Sequence, residues 1–412
     1  MNVEIRFPHY DAQSRTYVTW RPVEVMLKLV APPAGIASVN VEVSAKSLAS
    51  GGSLLFATTL THLGAASVVL TLPASGQEVP VWVGGAFPAA SASYGDVAVE
   101  VRDTGTNQLL GTHDLMVRIR KNGNSLSNAE RDRFLSALAT LNGAGTGRYS
   151  QFRDMHVGGP PDIEAHGGPG FLPWHRVYLL DFERELQAID PEVTLPYWRF
   201  DQAAQKIFNQ NFMGVANASN QVQFSAGNPL TGWVGFGLPG VDRSAGVGPT
   251  TVPALLTEAQ TLNLGALPSA RYAGFRAMQG NPHGSAHMSH GGGWITNPTT
   301  APRDPIFFLL HCNVDRLWAK WQWVHQIHDP AKPASFVTGA FLPGHRLPDA
   351  LWPWCGPLAA PRPTTAPGLG MASSPMTTSP PTSPAIRDMI DYFGTVSGTH
   401  HAFAYDDVPF QI

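Results

Sequence analysis

Short runs in which apolar and polar residues alternate fill the first 117 residues of the chain, with Gly, Pro and Ser residues between them. Alternation with a period of two puts every second side chain on one face, which is typical of half-buried antiparallel strands. About seven or eight such strands predict a small all-β sandwich, immunoglobulin-like, as an accessory domain over 1–117. The clearest runs lie at 3–7, 23–30, 38–45, 67–74, 79–85 and 96–103.

Beyond this region the apolar spacing changes to that of helices. Ser127 followed by Glu130 is a capping-box pattern, and apolar residues at 134, 135, 138 and 141 follow at helical intervals. Four helices whose histidines point inward predict a mainly α domain in which a four-helix bundle holds a metal site. The other three predicted helices cover 172–189, the decapeptide 281–290 from about Pro282 onward, and 305–327.

The helical region is expected to form one domain over 118–412. Residues 357–385 are rich in Pro, Ser and Thr, which predicts an exposed, loosely ordered loop within this domain. The last segment, 386–412, contains apolar residues that predict that it docks back on the core.

Charge and composition exclude several classes of function. Charged residues make up 14% of the 412 residues and the formal net charge is -3, with no basic run, so nucleic acid and anionic membrane are poor partners. No signal peptide or transmembrane stretch is recognised, which favours a cytoplasmic location, although export on a partner protein stays open. Cys312 and Cys355 are the only cysteines, and they either pair or stay reduced, the second being the simpler interpretation.

Six of the 15 histidines form two groups of three. The second group contains His283 and His287, whose i, i+4 spacing places both side chains on one face of a helix. A zinc peptidase needs Glu directly after the first histidine of such a pair, and Gly284 stands there. Sites made only of imidazoles suit copper, zinc or nickel, and two such groups indicate a pair of copper ions. The groups are His156, His166 and His175, and His283, His287 and His311.

The segments PGFLPWHRVYLLDFERELQ, LPYWRFD and DPIFFLLHCNVDRLWAKWQ resemble the type-3 copper family of tyrosinases, catechol oxidases and hemocyanins. The resemblance runs from about Ile119 to the C-terminus and is closest to bacterial tyrosinases. It implies that His156, His166 and His175 bind the first copper and that His283, His287 and His311 bind the second. It also implies O2 as co-substrate and small phenols as substrates. A copper-delivery protein is a further candidate partner, although the sequence does not fix the route of copper delivery.

Other residues receive roles from the same resemblance. Asp315 either orients a ligand histidine or pairs with an arginine, and Phe307 packs against a copper-bound imidazole. His290 lies beyond the family pattern and is a candidate for the substrate pocket, as is Trp294 in the loop 291–303. The histidines outside these motifs are expected on the surface: His325, His328, His345, His400 and His401.

Departures from the family pattern indicate which phenols the protein is expected to oxidise. Efficient hydroxylation of monophenols in the family is associated with Asn after the first ligand of the second copper and a Glu several residues earlier. Gly284 and, by rough alignment, Gln279 occupy these positions, so oxidation of o-diphenols or o-aminophenols to o-quinones is expected to dominate. Glu164 stands where relatives with a thioether crosslink have Cys. The alternatives are a full tyrosinase, a hemocyanin-like O2 carrier and a metal-free structural relative.

Overall fold

The computed structural model describes the chain except residues 50, 61–63, 157–159, 236, 245–251, 253, 268–270, 340, 357–369 and 411–412, and except the side chains of 160–162. The chain divides into two compact units. The first unit contains Met1–Ile119, Ser374–Thr378 and Ala402–Ile412, and the second contains Arg120–Ser373 and Ser379–His401. The first unit therefore takes two short segments that we expected in the helical domain.

The first unit is built from two sheets, as the alternating pattern predicts for a β-rich region. The four-stranded sheet has the order β1-β3-β7-β5, and the five-stranded sheet has the order β2-β9-β8-β4-β6. Neighbouring strands are antiparallel except β2 and β9, which run parallel. The immunoglobulin-like assignment stays a prediction. The strands are β1 Asn2–Arg6, β2 Thr16–Val18, β3 Val23–Val30, β4 Ser38–Ser47, β5 Leu54–Ala57, β6 Ser67–Pro73, β7 Val79–Gly85, β8 Val97–Asp103 and β9 Leu109–Val117.

The two late segments join the first unit through apolar and polar contacts. Met376 and Ala402 pack in one buried cluster with Tyr17 and Met116. The indole nitrogen of Trp20 donates a hydrogen bond to the carbonyl oxygen of Tyr405 over 2.8 Å. Long-range contacts of this kind leave no local periodicity, so the sequence pattern assigned 402–412 to the helical domain.

The second unit is mainly helical. The capping box predicted for α1 is present, since Ser127 accepts from the backbone N–H of Glu130 and the Glu130 side chain accepts from that of Ser127. The predicted helices over 172–189 and 305–327 are confirmed as α4 and α8, and both are buried along most of their length. The helices are α1 Asn128–Asn142, α2 Tyr149–His156, α3 Pro160–Ala165, α4 Phe171–Ile189, α5 Glu258–Leu262, α6 Arg271–Phe275, α7 Ser285–Met288 and α8 Ile306–His325.

The helix predicted over 281–290 is shorter than expected. A wide turn occupies Gly280–Gly284, in which Asn281 has φ -140° and ψ 118°, outside the helical region. The α-helix proper covers only Ser285–Met288, so the two histidines of the i, i+4 pair lie on a turn and on a short helix. The restriction that proline places on the preceding residue explains the extended Asn281 before Pro282.

Three further expectations concern the two cysteines, the Pro/Ser/Thr-rich loop and membrane-spanning helices. No disulfide joins Cys312 and Cys355. Residues 357–369 of the predicted Pro/Ser/Thr-rich loop lie outside the described residues. Within the described part of the chain, no helix has the length and apolar character that a membrane span requires.

Candidate metal centre

Six histidines reach the middle of the second unit from six places in the chain. His156 ends α2, His166 follows α3, and His175 lies in the first turns of α4. His283 lies in the turn Gly280–Gly284, and His287 and His311 lie on α7 and α8. We call these six residues the histidine cluster.

The second predicted triplet is present as expected. The Nε2 atom of His311 lies 3.1 Å from Nε2 of His287 and 3.4 Å from Nε2 of His283. One ligand atom from each of the three residues falls within 4.8 Å of the others, a spacing that a single metal ion can bridge. These three histidines therefore lie close enough together to hold one metal ion.

The first triplet is arranged differently from the prediction. The group whose ligand atoms fall within 4.8 Å of one another contains His156 and His175 together with His311 rather than His166. The His166 ring nevertheless lies beside this group, with its centre 4.7 Å from that of His156 and 5.5 Å from that of His175. His311 stacks on His175 at 4.3 Å, so one imidazole lies between both groups.

Backbone carbonyls fix the orientation of four imidazoles through their Nδ1 atoms. His156 and His175 make these contacts to Pro298 and Phe171 over 3.2 and 2.9 Å. His283 and His287 make them to Gln279 and Ile295 over 2.8 and 2.7 Å. Because a carbonyl only accepts, each Nδ1 carries the proton and each Nε2 offers a lone pair, which is how proteins commonly orient metal-binding histidines.

The donor set fits copper. Nε2 of His156 and Nε2 of His175 are buried without a hydrogen-bond partner among the described residues, a costly arrangement unless something else binds them. Burial, and then the neighbouring imidazoles, hold the pKa values of His156, His175, His283 and His311 well below 6.5. Burial also lowers the pKa of His287 to about 4. Neutral imidazoles without a carboxylate or thiolate among them suit a transition metal such as copper.

Aromatic side chains enclose the histidine cluster. The Phe307 ring centre lies 4.2 Å from that of His311 and 4.8 Å from that of His156. Phe171 lies 4.6 Å from His175 and 4.9 Å from His283 on the same measure. Phe307 therefore contacts imidazoles of both groups, as the resemblance implied, and the two phenylalanine rings place apolar surface beside the histidine cluster.

Asp315 contacts arginines, which favours the second of its two expected roles. Its Oδ1 accepts from Nε of Arg176 over 2.6 Å, and its Oδ2 accepts from Nη1 of Arg120 over 3.3 Å. Arg120 also forms an ion pair with Glu183 over 2.8 Å, and all four groups are buried.

The four candidate pocket residues lie in different environments. Gln279 holds His283 through its carbonyl oxygen, and Gly284 follows on the same turn. A Cβ atom added at Gly284 would lie 3.3 Å from that same oxygen. His290 is buried between Trp198 and Phe208, with ring centres 5.5 and 5.9 Å away.

Trp294 is the fourth candidate and belongs to the loop 291–303. Its ring is half-buried, and the Arg303 guanidinium carbon lies 5.8 Å from its centre. Its indole ring also approaches Gly235, where an added Cβ atom would lie 2.8 Å from Cζ3.

Three histidines expected on the surface are buried instead, so that part of the sequence analysis was wrong. His328, His345 and His401 expose 6%, 4% and 2% of their surface. Both ring nitrogens of His345 form hydrogen bonds with backbone groups that lie far away in the chain. No motif marks His345, because its two partners are backbone groups more than 170 residues distant. The pair of glycines after His166 was the one local signal of a close approach there.

Comparison with known proteins identifies the family. A profile of the common central domain of tyrosinase matches residues 146–324. The tyrosinase of Streptomyces antibioticus is 33% identical over 259 residues, covering 57% of this chain and 89% of the relative. The grixazone synthase of Streptomyces griseus subsp. griseus is 30% identical over 301 residues, covering 58% of this chain and 94% of the relative. A solved structure of a polyphenol oxidase from Thermothelomyces thermophila is 19% identical in sequence, with a TM-score of 0.46. The match covers 70% of this chain and 88% of the polyphenol oxidase chain. The chain belongs to the tyrosinase family of type-3 copper proteins.

Proposed function

We propose that this protein is a dicopper polyphenol oxidase that uses O2 to oxidise o-diphenols, and o-aminophenols, to o-quinones. The residues proposed to hold the first copper are His156, His166 and His175, and those proposed for the second are His283, His287 and His311. Membership of the tyrosinase family supports a copper oxidoreductase. The preference for diphenols over monophenols is our inference.

The observation that carries the proposal is the convergence of neutral imidazoles whose Nε2 atoms face one another. The Nδ1 atoms of four of them are held by backbone carbonyls, so the ligand atoms are oriented before metal arrives. When bound, the copper pair supplies the electron transfer between the phenol and O2. Helices α2, α4, α7 and α8 each carry one of the six histidines, whereas α1, the first of the four predicted helices, carries none.

The chain's own residues prepare the site for a flat aromatic ring. Phe307 and Phe171 pack against the imidazoles and present apolar surface beside them. Apolar, aromatic walls of this kind are typical of pockets that bind a small aromatic ligand. The loop 291–303 contributes the carbonyl that orients His287, and it carries Trp294, the aromatic residue we propose at the pocket.

The substrate preference rests on Gly284 and Gln279. Hydroxylation of a monophenol requires removal of its proton, and a glutamine amide does not accept a proton at neutral pH. Gly284 offers no side chain that could hold a water beside the substrate. An o-diphenol loses its first proton more readily than a monophenol does, so its oxidation depends less on such a base.

The test combines metal analysis with substrate comparison. The full chain is loaded with Cu(II), desalted, and analysed for copper per chain and for O2 uptake with matched pairs such as tyramine and dopamine. We expect two coppers per chain and faster turnover of the diphenol in each pair. Equal rates for both members would indicate a full tyrosinase, and reversible O2 binding without turnover would indicate a carrier.

A pair of histidine variants separates ligation from general damage. His287→Gln removes a proposed ligand and is expected to lower the copper content to about half. His325→Gln is the matched control, because His325 also contacts a backbone carbonyl, that of Leu262, over 2.9 Å but lies outside the histidine cluster. A copper content of two in both variants would contradict the ligand assignment.

A further inference from the structure

The loop that carries His166 is tied at both ends by one distant side chain. His345 accepts a hydrogen bond at Nδ1 from the backbone N–H of Gly170 over 3.0 Å. Because that nitrogen accepts, Nε2 carries the ring proton and donates to the carbonyl oxygen of Ile163 over 2.8 Å. Ile163 lies on α3 and Gly170 directly precedes α4, so the imidazole spans the whole segment around His166.

The loop backbone packs directly on the His345 ring. A Cβ atom added at Gly168 would lie 2.3 Å from Cε1 of His345, and one added at Gly170 would lie 2.7 Å from Nδ1. Both distances are far inside van der Waals contact, so only glycine permits this approach. The sequence HGGPG after the second histidine is therefore matched in shape to a buried imidazole 175 residues further along the chain from Gly170.

Two more contacts hold the same segment. Glu164 accepts from the backbone N–H of Trp352 over 3.3 Å, and its carboxyl group packs where a Cβ atom on Gly344 would stand. The hydroxyl of Tyr272 donates to the carbonyl oxygen of Pro169 over 2.6 Å. The residues on either side of His166 are thus held by polar contacts to three separate parts of the chain.

We propose that His345 is a positioning residue for the first copper, and that its contacts to Ile163 and Gly170 hold His166 at the site. We call this arrangement the His345 brace. It rests on the proposed function, since it presupposes that His166 is a copper ligand. Glu164 occupies the position at which some relatives have a cysteine for a thioether, so hydrogen bonds hold this loop where a covalent bond is not available.

The proposed ligands differ in how firmly their own backbone is held, and this is why His166 needs a positioning residue. His175 and His311 project from long buried helices, whose backbone is fixed by its own hydrogen bonds. His166 projects from a loop that contains Gly167, Gly168 and Gly170, residues that lose the most conformational freedom when ordered. A loop of this composition holds a metal ligand only if something else fixes its backbone, which the His345 ring does.

Two variants of His345 test the brace, one that keeps a planar ring and one that keeps a hydrogen-bond donor and acceptor. His345→Phe retains a planar ring but removes the acceptor and the donor. His345→Gln retains one acceptor and one donor with similar separation and serves as the conservative rescue. His325→Phe is the matched control, because His325 also engages both ring nitrogens, with Arg271 and with the carbonyl of Leu262, away from His166.

Copper content and electron paramagnetic resonance are measured on the full chain, together with near-ultraviolet circular dichroism as a check of folding. Two coupled Cu(II) ions give no resonance signal, whereas a lone Cu(II) ion does. We expect His345→Phe to hold the first copper at least tenfold more weakly, a change of the size seen when residues that orient metal ligands are removed. With two equivalents of copper per chain, this variant should show the signal of a lone Cu(II), while His345→Gln and His325→Phe stay silent.

The outcomes separate the brace from the proposed function. If the wild-type chain itself binds fewer than two coppers, the proposed function fails whatever the variants do. If the wild type binds two and His345→Phe retains both with unchanged affinity, the brace is wrong and the proposed function stands. If His345→Phe loses its fold, Gly168→Ala displaces the same ring more mildly, and full copper affinity in that variant would overturn the brace.

Discussion

Arg176 and Asp315 form a buried ion pair of 2.6 Å between the two helices that carry His175 and His311. Arg176 directly follows His175 on α4, and Asp315 lies one helical turn after His311 on α8. The guanidinium carbon of Arg176 also lies 3.7 Å from the ring centre of Trp318. This ion pair thus helps to fix the distance between α4 and α8, and with it the stacking of His175 on His311.

Replacing Asp315 by Asn should destabilise the second unit by about 3 kcal/mol, because it leaves Arg176 buried without a charged partner. The measurement is the thermal midpoint of the copper-free chain, which should fall by several degrees. Asp132→Asn is the control, since Asp132 pairs with Arg131 at the surface and its loss should cost under about 1 kcal/mol. Equal shifts in the two variants would refute the role given to the buried pair.

Replacing Gly284 by Asn should raise monophenol hydroxylation relative to diphenol oxidation. A Cβ atom at this position lies 3.3 Å from the Gln279 carbonyl oxygen, so a small shift admits the side chain. A hydrogen bond from the new amide to a bound water is worth roughly 1 kcal/mol, or about a fivefold change in the ratio of kcat/KM values. Gly284→Ala adds the Cβ atom without the amide and should leave the ratio unchanged. If the ratio rises equally in both variants, the added side-chain volume and not the amide hydrogen bond causes the change.

Replacing His290 by Leu should leave two coppers per chain and raise the stability of the protein slightly. Both ring nitrogens of His290 are buried without a hydrogen-bond partner among the described residues, and an unsatisfied buried polar group costs about 1–3 kcal/mol. Leucine has a similar volume and needs no partner. The prediction is checked by copper analysis and by the thermal midpoint. Loss of a copper would show that His290 is a ligand after all.

Asp181 should make stability depend on pH. Burial raises its pKa to about 6 from 3.8, although the backbone N–H of Ala372 and the indole N–H of Trp354 donate to its two oxygens. The folded state therefore holds this proton more tightly than the unfolded state. The resulting stabilisation is fully present below about pH 4 and is lost as the pH rises through about 6.

The variant Asp181→Asn removes this dependence. Between pH 4 and pH 7 the copper-free wild type should lose about 2 kcal/mol relative to the variant. The amide also loses one hydrogen bond, but that cost is constant across the range and does not alter the slope. Thermal unfolding at several pH values, compared between the two chains, gives the result. Parallel curves would show that Asp181 does not titrate in this window.

Much of the fold follows from local patterns. Alternation gave the β-rich first unit, and the capping box of Ser127 and Glu130 located the start of α1. The helices over Phe171–Ile189 and Ile306–His325 follow from apolar spacing and from the proline after Asp190. Each of these signals lies within a few residues of the element that it predicts.

The remaining features depend on contacts between distant residues. Trp20 binds the carbonyl of Tyr405, which places 402–412 in the first unit, and nothing within either segment indicates the other. His345 was predicted at the surface because its partners, Ile163 and Gly170, lie about 180 residues earlier. The wide turn at Gly280–Gly284 likewise replaces part of a helix that the histidine spacing alone favoured.

The carbonyl contacts to Nδ1 have a consequence for how such an enzyme changes over generations. The acceptors belong to the main chain of Phe171, Gln279, Ile295 and Pro298, and a backbone oxygen is present whichever amino acid occupies the position. Point mutations in the loop 291–303 can therefore change its side chains without removing the carbonyl oxygens of Ile295 and Pro298 that orient His287 and His156. If this loop is the pocket wall that we propose, substrate preference can change between descendants while the histidine geometry is retained.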